Sequence, residues 1–259
     1  MRPTEKGLAV PSARLTFIFR QNASEAAAAE QIALGEDQVH IWQGPLEGVA
    51  GTDLAQFNEI LSESERERAS RFRFEKHRNE FVVCRGRLRL HLANYLKISP
   101  KEIEIRYTEY GKPELAGMMA ALQFNVSHSG GEATYAFTRG RRVGVDLEKM
   151  RDDVNVEELA ARFFSAAETE NLRELTPEER RDAFFRCWTR KEAYIKAIGE
   201  GLSHPLHQFD VSLQPGDLRA LLRTRPDPAE ASRWVLRDLP AGGGYAAAVA
   251  VESIGTAAS

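Results

Sequence analysis

The chain has 259 residues, of which 42% are hydrophobic and 28% charged, with a formal net charge of −3. That composition excludes a disordered polymer and leaves room for one large domain or two small ones. The near-neutral balance excludes the broad basic field of a nucleic-acid binder, and no run approaches the ~20 apolar residues of a membrane span.

The first readable segment is Arg14–Phe19, whose Leu15, Phe17 and Phe19 alternate as in a strand. It is too short and too polar at its flanks for a signal peptide. Cys84 and Cys187 lie far apart, with neither disulfide framework nor zinc spacing. The expectation is a cytoplasmic protein. Residues 24–31 (SEAAAAEQ) read as a short helix or loose connector, so 1–37 is taken as a partly ordered extension. A strand follows at 38–43. Ser62 with Glu65 forms a capping box that opens an arginine-dense helix. A second helix, about 78–96, gathers Phe81, Cys84, Leu88, Leu92 and Tyr95 on one face. Its other face carries Arg85 and Arg89, which reads either as a solvated face or as an anion site.

Ser99-Pro100-Lys101-Glu102 reads as a further helix start, and Ile103–Thr108 as an alternating strand. Tyr110-Gly111-Lys112-Pro113 is a turn that presents a lysine. The strand of Leu122, Phe124 and Val126 runs into Ser127-His128-Ser129-Gly130-Gly131. That run is either a plain hairpin loop or a place where glycine amides approach a phosphate. Ala133, Tyr135 and Phe137 form the partner strand.

Arg142–Lys149 (RVGVDLEK) shows strict period-2 alternation. Val143, Val145 and Leu147 share one face; Asp146 and Glu148 share the other. Two carboxylates one step apart repel unless a cation stands between them, and Mg²⁺ takes oxygen ligands of this kind. The bland reading is an edge strand showing its charges to water. Asn155 with Glu158, Ser165 with Glu168 and Thr176 with Glu179 then start three helices, the last ending at Gly199. Along it Phe184, Trp188, Ile195 and Ile198 form an apolar stripe, with Glu192 beside it and Lys196 four residues on. An i, i+4 surface pair is the ordinary reading of those two. A carboxylate beside so apolar a stripe nevertheless asks for a cation or a proton. Strands at 209–213, 234–236 and 245–251 close the chain, and the last residues look frayed.

In order, the chain carries FNVSHSG (124–130), GVDLEK (144–149), RFFS (162–165) and WTRKEAYIKAIGEGL (188–202), with YGKP at 110–113 and His77-Arg78 before them. Together these resemble the 4′-phosphopantetheinyl transferases of the larger, monomeric, surfactin-synthetase-activating (Sfp-like) type, from about Val39 to Val251. The resemblance implies an α+β fold of two similar halves, 38–141 and 142–253, related by a pseudo-twofold axis with a ligand cleft between them. A tail, 254–259, follows. It implies transfer of the phosphopantetheine arm of coenzyme A to a serine of an acyl or peptidyl carrier protein, with adenosine 3′,5′-bisphosphate leaving. It further implies Mg²⁺ held by Asp146, Glu148 and Glu192, and Lys196 on the pyrophosphate. Arg78 and His128 would lie near the 3′-phosphate, Ser127 and Lys112 near the adenine and phosphates, and Arg68 on a phosphate. One departure is Glu65, where the family often has a second basic residue. Glu192 is the candidate base for the carrier serine. Arg85, Arg87, Arg89 and the 162–164 segment are candidates to meet an acidic carrier surface. Two other classes share parts of this pattern: a Mg²⁺-dependent phosphohydrolase, and a non-catalytic module that holds carrier proteins.

Overall fold

The computed structural model describes residues 15–21, 32–217 and 220–253. The helix or connector expected at 24–31 and the tail at 254–259 lie outside them. The fold is α+β. One sheet has the strand order β1-β2-β6-β5, from β1 (Thr16–Gln21), β2 (Gln38–Pro45), β5 (Leu122–Ser129) and β6 (Glu132–Arg139). A second has the order β10-β11-β7, from β7 (Val143–Lys149), β10 (Trp234–Asp238) and β11 (Tyr245–Glu252). The expected strand at 14–19 is β1, and it pairs parallel to β2, Phe17 opposite Val39.

Side-chain alternation sorts the sheets into layers. On the first sheet Trp42, Tyr135 and Phe137 pack with Leu88, Leu92 and Tyr95 of helix α3 (Glu75–Leu96). Val39, Ile41 and Ala136 point the other way and join Val143, Val145, Leu147, Val249 and Val251 in a shared apolar layer between the sheets. On the far side of the second sheet Ala248 and Ala250 meet Phe184, Ala193, Tyr194 and Ile195 of helix α6 (Pro177–Ile198). The order is helix, sheet, sheet, helix.

The start and stop signals of α6 are those expected. Thr176 and Glu179 cap each other reciprocally, Pro177 stands in the first turn, and Gly199 ends the helix at φ +85°. Two short helices, α4 (Val156–Phe163) and α5 (Ala166–Arg173), precede it. Helix α2 (Glu63–Ser70) starts at the Ser62 box. Helix α1 (Gly51–Ile60) was not expected. It has no side-chain cap and buries only Phe57, which packs where Gly86 of α3 leaves no Cβ.

Two expectations change. Ser99 caps a single 3₁₀ turn, Pro100–Glu102, rather than a longer helix. The strand after it shrinks to β3 (Ile105–Tyr107), paired with β4 (Pro113–Leu115). In the Ser127–Gly131 run β5 continues through Ser129, and Gly130 and Gly131, both at positive φ, make the hairpin turn into β6. The C-terminal part adds a small hairpin, β8 (Phe209–Val211) with β9 (Leu221–Thr224).

Candidate active site

Strands β5 and β7 run side by side where the two sheets meet. They are joined by side chains rather than by a ladder of main-chain bonds. Asn125 Oδ1 accepts from the Val145 amide at 2.9 Å, and Ser127 donates to Asp146 Oδ1 at 2.9 Å. Ser129 donates to Glu148 at 2.9 Å and accepts from the Lys149 amide at 3.1 Å. Asn125, Ser127 and Ser129, at alternate positions of β5, thus each bond to β7. The bland reading of β7 as a charged edge open to water fails. Asp146 is 2% exposed, because α6 lies on that face.

Gly144 is the reason α6 can lie so close. A Cβ at Gly144 would stand 2.1 Å from the Ala193 carbonyl oxygen and 2.3 Å from the Ala197 amide nitrogen. Strand and helix backbones therefore touch, with small alanines on the helix side. The same contact brings Glu192 and Lys196, the residues just before Ala193 and Ala197, over the acidic face of β7. Lys196 Nζ donates to Asp146 Oδ1 at 2.5 Å and to Ser127 Oγ at 3.1 Å.

The electrostatics follow from this crowding. Burial first, then the charges of Asp146 and Glu148, push the Glu192 carboxyl up to about 7 against the opposing pull of Lys196. Burial and the Asp146 charge likewise raise Glu148, although Ser129 stabilises its ionised form. For Lys196, burial alone would favour the neutral amine. The charge and hydrogen bond of Asp146, with Glu192 and Glu148, outweigh it and hold the ammonium above its ordinary value.

Among the described residues no three His, Cys, Asp or Glu side chains stand as a ready-made metal cage. One physical reason is that Lys196 itself occupies Asp146 Oδ1. The donor set still fits a hard divalent cation. All its donors are oxygens, Asp146 Oδ2 is buried with no hydrogen-bond partner, and burial, joined by the charge of Asp146, raises the pKa of both Glu148 and Glu192.

The other expected site residues are dispersed around this centre. His128 follows Ser127 on β5 and is exposed. The charges of Lys196, Arg85 and Arg68 all act on it. Arg68 is exposed on α2, its guanidinium 5.3 Å from the Phe81 ring. Arg78 is exposed at the start of α3 and faces Glu75 at 3.3 Å. Lys112, read as a turn lysine, is buried. Its ammonium bonds the Ala197 carbonyl at 3.0 Å and the Val143 carbonyl at 3.4 Å, and burial lowers its pKa to about 8.

Neither Arg85 nor Arg89 forms a solvated face or a docking surface. They are 8% and 2% exposed. Arg89 bonds Glu65 at 2.6 Å and the carbonyls of Pro100 and Ile103. Glu65, which departs from the family's basic residue, is thus a buried helix cap paired to an arginine. Two basic residues of the 188–202 motif are structural. Arg190 forks onto Asp238, and Lys191 bonds Glu168 at 2.8 Å and two carbonyls. Asn125 and Ser129 were missed as positioning residues, although they sit at alternate positions of β5, the spacing that places side chains on one face.

Residues 142–250 match the model of the 4′-phosphopantetheinyl transferase superfamily, and residues 50–138 match a 4′-phosphopantetheinyl transferase N-terminal model. The chain is 39% identical over 226 residues to 4′-phosphopantetheinyl transferase HetI of Nostoc sp., covering 86% of this chain and 92% of that protein. It is 32% identical over 185 residues to a putative 4′-phosphopantetheinyl transferase of Synechocystis sp., covering 71% and 74%. It is also 32% identical over 157 residues to 4′-phosphopantetheinyl transferase Sfp of Bacillus subtilis, covering 61% and 68%.

Proposed function

The chain belongs to the 4′-phosphopantetheinyl transferase superfamily, and from that membership we propose that it moves the phosphopantetheine arm of coenzyme A onto a serine of an acyl or peptidyl carrier protein. The observation that carries the reading is the crowding of Asp146, Glu148 and Glu192 around Lys196, with Asp146 Oδ2 buried and unpartnered. The two halves proposed are 38–141 and 142–253. Their support is the pair of separate apolar clusters on the outer sheet faces. The substrate cleft is the β5–β7 seam between them.

Asp146, Glu148 and Glu192 would hold the Mg²⁺, which when bound supplies charge neutralisation to the pyrophosphate. The chain's own residues do the rest. The serine oxygen of the carrier forms a bond to the phosphorus that bears the pantetheine arm. The bond from that phosphorus to the bridging oxygen breaks, and adenosine 3′,5′-bisphosphate leaves. Glu192, over the acidic face of β7, is the residue placed to accept the serine proton. Lys196, held charged, faces the leaving phosphate. Ser127 fixes Asp146, Ser129 fixes Glu148, and the contact of α6 on Gly144 fixes Glu192 and Lys196. Phosphoryl transfer asks mainly for such positioning and charge stabilisation.

The test is intact-mass analysis of apo carrier proteins incubated with the enzyme, coenzyme A and Mg²⁺. The carrier should gain the mass of phosphopantetheine. Asp146→Ala and Glu192→Gln should each abolish the gain while keeping the native circular dichroism spectrum. Transfer at near wild-type rate by either variant would overturn the assignment.

A further inference from the structure

The ammonium of the buried Lys112 donates to the Ala197 carbonyl at 3.0 Å and to the Val143 carbonyl at 3.4 Å. Lys112 lies in the segment matched by the N-terminal model, 50–138, whereas Val143 and Ala197 lie in the segment matched by the superfamily model, 142–250. One side chain therefore ties the first segment to both a strand and a helix of the second. Its base is fixed by a tight turn. The Lys112 amide donates to Thr108 Oγ1 at 3.1 Å, its carbonyl accepts from the Thr108 amide at 2.9 Å, and Gly111 turns the chain at φ +81°. From there the stem runs to the C-terminal end of α6, where a Cβ at Gly199 would lie 3.5 Å from its Cδ.

The two carbonyls it meets are not arbitrary ones. The last four carbonyls of an α-helix lack a partner within the helix, and in α6, which ends at Ile198, Ala197 bears one of them. A cation is favoured there, because that end of a helix carries a partial negative charge. Val143 is the residue before Gly144, where the backbones of β7 and α6 touch. Lys112 thus bridges helix and strand beside their closest approach. Lys196 precedes Ala197 in the same last turn, and its ammonium bonds Asp146 and Ser127.

We propose that Lys112 is a positioning residue, which clamps the last turn of α6 to β7 and so holds Lys196 over Asp146 for the phosphoryl transfer. Its bearing on transfer rests on the transferase reading given above; the clamp itself does not. The ammonium, engaged by two main-chain carbonyls, acts through Lys196 rather than by touching the nucleotide or its phosphates.

Two measurements on the full chain test this. Hydrogen exchange at single amides, read by NMR without substrate, tests the clamp. In wild type the amides of Ala197, Ile198 and Gly199 should exchange within about tenfold of those in the middle of α6, although helix ends ordinarily fray. Lys112→Met keeps an apolar stem but has no donor. It should speed those three amides on the order of tenfold, as expected for one lost hydrogen bond from a charged group, and leave the middle of α6 unchanged. Rates of carrier mass gain test the consequence. Well below its melting midpoint, Lys112→Met should lower kcat on the order of tenfold and leave KM for coenzyme A within about twofold. A contact to the nucleotide would instead raise KM, and a merely structural lysine would lower the midpoint with kcat intact. Either result would overturn the proposal, as would unchanged exchange at the end of α6 in the variant. If Lys112→Met does not fold, wild-type exchange decides, and a last turn that opens faster than the stated limit would overturn the clamp. A wild type that modifies no carrier would sink the transferase assignment, while the selective loss of protection in Lys112→Met would still uphold the clamp.

Discussion

Gly144→Ala tests how the site is assembled without touching any charged group. The added methyl would stand 2.1 Å from the Ala193 oxygen and 2.3 Å from the Ala197 nitrogen. Ordinary non-bonded contact begins near ~3.5 Å, so α6 must withdraw from β7 by roughly 1 Å. Both obstacles are main-chain atoms in a capped helix, so neither can turn aside as a side chain would. Overpacking of this kind costs about 1–3 kcal/mol, and the upper end applies here. For a chain of this size that lowers Tm by on the order of 5–10 °C. The same withdrawal moves Glu192 and Lys196 away from Asp146, and a displacement of about 1 Å at reacting groups costs on the order of 10² in rate. Melting followed by circular dichroism and initial rates of carrier mass gain read the two effects separately. A variant that keeps nearly the wild-type rate, with Tm shifted by no more than about a degree, would refute the claim that this contact sets the geometry of the site.

The pH response of the metal-free chain is a further test. The Glu192 pKa is raised from 4.5 to about 7 on folding, so its contribution is fully present below the unfolded value and is lost as pH rises through the folded one. The loss between pH 5 and 8 is on the order of 2–3 kcal/mol, and Glu192→Gln removes it. Denaturation midpoints in chelator should therefore favour the variant increasingly toward pH 8; parallel profiles for the two proteins would count against the crowded-carboxylate reading. Added Mg²⁺ should raise Tm of the wild type at pH 8 but leave Asp146→Ala unmoved, and equal responses would remove Asp146 from the metal site. Asn125→Ala strands the buried Val145 amide and should cost about 1–3 kcal/mol, measured by urea denaturation. A smaller loss would mean that water replaces the carboxamide. Arg162 is exposed and its guanidinium lies 5.0 Å from the Phe163 ring. If that surface meets an acidic carrier, salt should weaken the carrier's apparent affinity more than that of a short neutral acceptor. Identical salt responses would place docking elsewhere.

Local signals in the sequence carried the site further than they carried its surroundings. The alternation of residues 143–149 sorted Asp146 and Glu148 onto one face, and the caps at Thr176 and Gly199 framed the helix that bears Glu192 and Lys196. The α+β class followed from the order of such segments. Long-range cover was not legible. Arg85 and Arg89 have a spacing that suits a solvated helix face, and nothing in α3 announces that Glu65 of α2 closes over them. Lys112 looks like any turn lysine until the turn folds against the end of α6. Helix α1 gave no signal because a single buried Phe57 and an uncapped start leave no periodicity to read. Gly144 stood in plain view within the strand pattern, but its purpose depends on α6, more than 30 residues away in the sequence.

The balance of charge at the seam bears on why a lysine should stand among the acids at all. Three carboxyls converge on one ammonium, and burial multiplies the cost of each unpaired charge. Lys196 answers Asp146 Oδ1 directly, yet Asp146 Oδ2 stays without a partner, and Glu148 and Glu192 both hold their protons more tightly than free carboxyls do. One lysine is therefore enough to let the chain fold around the acids and too little to satisfy them. Had the ammonium neutralised the cluster fully, a cation would find no differential gain on binding. Had it been absent, the buried Asp146 would lack any counter-charge in the free protein. On the proposed function, this partial balance would favour added positive charge and would free Lys196 toward the anion brought in with it.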